Sequence, residues 1–174
     1  TDNSGGPDES DHLVGYAISQ RTPPFNPIGG QRVVNALGTI VVKVLRPVLL
    51  MVPSGKSLTG PPAAPAPPDI DHFQCYDIRG GRARVNNVTM VDQFSTMTLD
   101  IKRPLRLCTA VDKRGEGILD ADANLLCYTV RPSKGSAPFR GVGAPVFVAN
   151  QFGADTLEVN HVRELCLPSQ VNPD

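Results

Sequence analysis

The chain has 174 residues, with 17 Lys+Arg against 17 Asp+Glu, so its formal net charge is zero, which argues against a nucleic-acid-binding surface. Its 16 Gly and 17 Pro make up about a fifth of the residues and disfavour long helices. Four Cys without C-x-x-C spacing or a neighbouring His read as disulfides rather than as a metal site, and so as an oxidising compartment.

Residues 1–11, rich in Asp, Ser and Gly, are expected to be a mobile N-terminal segment. The rest of the chain carries a three-fold internal repeat. Repeat one (12–54) opens on His12-Leu-Val-Gly-Tyr16, repeat two (72–111) on His72-Phe-Gln-Cys-Tyr76 and repeat three (124–169) on Asn124-Leu-Leu-Cys-Tyr128. Each closes on a twenty-residue stretch, beginning at Asn35, Asp92 and Asn150, and the three stretches align without a gap. A Pro-rich spacer (55–71) is expected to be an extended polyproline II segment, a polar loop (112–123) joins repeats two and three, and 170–174 form a C-terminal tail. The longest apolar stretch, 36–52, contains Lys43, Arg46 and Pro47, which a membrane-spanning helix would hold badly, so no transmembrane segment is read.

Val42 and Val44, Leu99 and Ile101, and Leu157 and Val159 occupy matched apolar columns, with Lys43, Asp100 and Glu158 between them. That period of two marks strands with one buried face, and residues 85–91 and 144–149 read as further strands. The predicted fold is all-β, a sandwich or a pseudo-symmetric barrel of three repeats.

Repeats two and three have Cys both in the opener (Cys75, Cys127) and in the closer (Cys108, Cys166), whereas repeat one has Gly15 and Met51 in those columns. Joint loss of both partners is what a bridge within each repeat predicts, so the expected pairing is Cys75–Cys108 and Cys127–Cys166.

The pattern Asp-His-Phe-x-Cys-Tyr, then Asp/Asn-Gln-Phe, then Leu-Cys-x-Pro-Ser resembles a family of uncharacterised exported bacterial proteins, a repeat domain often found in tandem. The resemblance covers 71–169; repeat one departs from it by lacking both Cys and the Gln-Phe pair. It implies export and a disulfide-stabilised β fold, and it brings no catalytic or binding residues with it.

The sequence predicts no enzyme. No Gly-x-Ser-x-Gly is present, bridged cysteines cannot act as nucleophiles, and Asp112, Glu116, Asp120 and Asp122 share one solvated loop. No cofactor and no metal are expected, because His12, His72 and His161 have no ligand-spaced companions and Asp120 to Asn124 only imitates the start of a calcium loop. Gly55-Lys56-Ser57 lacks the upstream glycine of a phosphate loop, and Asn87-Val-Thr89 is a short glycosylation sequon. The informative contrast lies in repeat one, where Val41, Leu45 and Leu49 replace the polar residues of its sisters. These three are the expected partner interface, and the expected role is a non-enzymatic accessory or structural subunit of an extracytoplasmic assembly, bound to a protein partner or to itself. The alternative is an extracellular ligand-binding module, for instance for a glycan.

Overall fold

The computed structural model describes residues 12–66, 69–92 and 94–173. The expected N-terminal segment 1–11 lies outside them. Ten strands and no helix are present among the described residues: β1 (His12–Ala17), β2 (Ile28–Asn35), β3 (Gly38–Ser57), β4 (Phe73–Gly80), β5 (Val85–Val91), β6 (Thr96–Ala110), β7 (Asn124–Pro132), β8 (Val146–Asn150), β9 (Gly153–Leu157) and β10 (Glu164–Val171). Accordingly, no helix among the described residues is long and apolar enough to cross a membrane.

All the pairings are antiparallel. They run β2-β10-β7-β6-β4-β3, and β3 pairs back to β2, so the chain of pairings returns to its start. The larger core lies along this circuit: Val33, Val42, Val44, Ile101, Leu107, Leu126 and Tyr128 are buried together, and Ile78 of β4 and Leu165 of β10 pack on them. Period-two alternation in β3 explains this, since Val42 and Val44 turn inward while Val41 and Lys43 face solvent.

The opener–closer pairs share one register. Gly15 faces Met51, Cys75 faces Cys108 and Cys127 faces Cys166; one step on, Tyr16 faces Leu50, Tyr76 faces Leu107 and Tyr128 faces Leu165. Cys75 is bonded to Cys108 and Cys127 to Cys166, closing separations of 33 and 39 residues. Each closure is worth about 3–4 kcal/mol in the chain-entropy model. The two bridges adjoin, with Cys108 Sγ 3.9 Å from Cys127 Sγ. Phe73, Cys75, Cys108 and Cys127 form the second core, and Leu13, Leu49 and Met51 of repeat one pack against it.

Asn35, Asp92 and Asn150 head the three closers, and each folds its Oδ1 back to accept from the backbone N–H two residues on, at Leu37, Phe94 and Phe152. This local bond shapes each hairpin turn. Farther along, Pro47 and Pro104 sit where the ladders shift register, as expected of a residue without an N–H. Repeat three has Val162 in that column, and there the strand is interrupted between β9 and β10. The β8–β9 hairpin instead pairs with Gly55, Lys56 and Ser57 of β3.

Several expected boundaries move. Residues 55–57 belong to β3 rather than to the spacer, because β8 provides them with a ladder partner. The spacer also lies against the fold, with the Ala63 carbonyl seated on Gly55 where a side chain would otherwise stand. Gln170 and Val171 are strand rather than tail and pair with Val34 and Val33. The 112–123 loop is pinned by Asp71, whose carboxylate accepts from the Leu119 and Asp120 backbone N–H groups at 2.7 and 2.9 Å.

Candidate docking face

The outer surface of β2, β3 and β4 follows directly from the register. Arg32 of β2 is opposite Val41 of β3, and Lys43 of β3 is opposite Arg79 of β4. Directly paired residues share a face, as do residues two apart on one strand, so Arg32, Val41, Lys43 and Arg79 project together. All four are exposed, Val41 to 55%. Arg82 and Arg84, also exposed, follow β4 on either side of Ala83, which packs on the larger core.

The charge on this face is arranged against cross-strand chemistry. Like charges directly opposite one another destabilise a sheet, and among the described residues neither Lys43 nor Arg79 has a carboxylate within ion-pair distance. The same columns of the β6–β7 pair hold Asp100 opposite Arg131, with the carboxylate 3.6 Å from the guanidinium and 2.9 Å from Lys102. Zero net charge conceals this: between residues 21 and 84 there are eight basic and three acidic side chains.

The three interface residues expected from the sequence do not form one patch. Val41 is exposed, Leu45 is half-buried, and Leu49 packs against the second core beside Cys75. The space there exists because Gly15 lacks the sulfur of its sister columns; the Leu49 side chain fills the place where a Gly15 Cβ would point. Asp100, expected between inward apolar neighbours on a polar face, is only 7% exposed. The Ser133 hydroxyl donates to it at 2.7 Å and the Asn87 backbone N–H at 3.2 Å. The Ser133 bond, then Lys102 and the Asn87 N–H, hold its carboxyl well below the usual range.

His72 is buried, with Nε2 3.0 Å from the Gln151 amide nitrogen and Nδ1 3.6 Å from Glu116 Oε2. Burial pushes its pKa down, and the hydrogen bond from Lys113 holds Glu116 down. Cys127, Glu164 and Cys166 group their potential metal-binding atoms closely, but the two sulfurs are bonded to each other and Glu164 pairs with Arg106 at 2.7 Å. An open cleft of about 580 Å³ lies at the seam of the repeats, where Asn35, Asp122, Asn124 and Gln170 rim a floor that includes Phe73 and Leu125.

No family model, curated protein or solved structure matches the chain.

Proposed function

We propose that the chain is a non-enzymatic building block of an extracytoplasmic assembly, exported like the proteins its motifs resemble, and that it docks through the outer face of repeat one. The two disulfides support an oxidising compartment. The shared register and the returning circuit of pairings support reading the fold as a pseudo-symmetric barrel of three repeats. The observation that carries the docking reading is the exposure of Val41 beside Lys43 and Arg79, which have no carboxylate within ion-pair distance among the described residues.

Burial of a side chain such as Val41 is worth about 1.5–3 kcal/mol, enough to matter in a modest interface. Val41→Lys keeps the face positive but places a solvated head at the apolar contact. Affinity purification of the native protein from its own source should lose its partners in this variant while the melting temperature falls only slightly, through the added cation opposite Arg32. Retention of every partner would refute the docking reading.

A second reading, a module for a neutral glycan, is favoured by the seam cleft, whose amide and carboxylate groups suit sugar hydroxyls above an apolar floor. Saturable glycan binding that Asn124→Ala abolishes would select it.

A further inference from the structure

We infer that the basic face of repeat one receives an acidic peptide segment, residues 1–11 of a second copy, so that copies associate head to tail. This rests on the docking reading and names the occupant of that face. Two sister sites differ in charge. Equivalent backbone positions hold Asp100 of repeat two opposite Arg131 of repeat three, and Lys43 of repeat one opposite Arg79 of repeat two. The β6–β7 pair thus supplies its own acid, which Lys102 and Arg131 flank, whereas the β3–β4 pair presents two cations with no carboxylate beside them among the described residues. Guanidinium groups at neighbouring positions offer forked donors suited to carboxylates, and Val41 between them offers an apolar contact.

A matching ligand is written in the chain. Residues 1–11 contain Asp2, Asp8, Glu9 and Asp11 and no basic side chain. Supply within one molecule is disfavoured by distance. Strand β1 begins at His12 opposite Ser54, eleven positions along β3 from Lys43. At about 3.3 Å per residue, β1 therefore begins about 36 Å of strand away, at the other end of β3 from this face. A second copy has no such constraint. Because the face and the segment are different surfaces, the contact is heterologous and propagates from copy to copy.

The test uses the full chain in analytical ultracentrifugation. The wild type should increase in mass with concentration at low ionic strength and return to monomer in high salt. Lys43→Asp, which gives repeat one the acid its sister has, should keep or raise the melting temperature yet reduce self-association at least tenfold. The triple variant Asp8→Asn, Glu9→Gln, Asp11→Asn should do likewise. Mixed together, these two monomeric variants should form 1:1 dimers and nothing larger, since one retains only the segment and the other only the face. A wild type that stays monomeric at low salt, or a mixture that forms no dimer, overturns the proposal. So does retention of an acidic polysaccharide or of DNA by the face without self-association, which would assign it to another polyanion. If Val41→Lys loses the native partners while both charge variants keep them, the docking reading stands and only this occupant falls.

Discussion

Asn35 donates its side-chain amide to the Tyr128 hydroxyl at 2.9 Å, and the same nitrogen lies 3.2 Å from Ser169 Oγ. The relation has a mirror image: Asn150 donates to the Tyr16 hydroxyl at 2.9 Å and to Ser54 Oγ at 3.0 Å. The turn of repeat one thus holds the opener and closer of repeat three, and the turn of repeat three holds those of repeat one. Repeat two has Asp92 and Val111 in the Asn and Ser columns and takes no part in this exchange.

Asn35→Ala and Asn150→Ala should each destabilise the fold by about 1–3 kcal/mol, because a buried hydroxyl loses its donor. The local consequences should differ. Hydrogen exchange should rise in β2 and β10 for the first variant and in the β8–β9 hairpin for the second, and equal protection in both would refute the assignment.

Cys75→Ser should not simply leave a free thiol. Cys108 would then face the remaining bridge, 3.9 Å from Cys127 Sγ, within reach for exchange. Non-reducing peptide mapping should recover a Cys108–Cys127 bridge with Cys166 released. In the wild type it should recover only Cys75–Cys108 and Cys127–Cys166.

Asp100 should make stability depend on acid. Its folded pKa is depressed by Ser133, Lys102 and the Asn87 N–H. Its contribution is therefore complete above the unfolded carboxylate pKa of about 4 and is lost as pH falls below that value. Asp100→Asn should lower the melting temperature at neutral pH and flatten its decline in acid; parallel melting profiles for variant and wild type would exclude this role.

Gly55→Ala should disturb the spacer, since a methyl there would meet the Ala63 carbonyl rather than a flexible side chain. Faster proteolytic cleavage of residues 58–66 with the β3–β8 ladder weakened is the expected result. Unchanged cleavage would mean that the spacer readily shifts aside.

Much of this was legible because strand periodicity and hairpin turns are local. Alternation in β3 and β6 and the matched cysteine columns are set by residues close in sequence or by alignment of the stretches that begin at Asn35, Asp92 and Asn150. The candidate site was only partly so. Alternation placed Val41 outside, but Leu49 turned to the second core because Gly15 left room across the strand pair. The basic face escaped a reading of net charge because its cations lie on separate strands and its balancing acids elsewhere in the chain.

By itself, the sequence determined the all-β character and the opener–closer columns, since side-chain alternation and repeat alignment require no knowledge of which strand lies beside which. Only the tertiary structure decided the neighbours: β2 between β3 and β10, β8 on the end of β3, and Asn35 and Asn150 exchanged between repeats one and three. The opener–closer pairs share one register and so present similar edges, among which local preference cannot choose. That choice falls to long-range packing and to a few buried polar groups, which are stable only where a distant partner satisfies them.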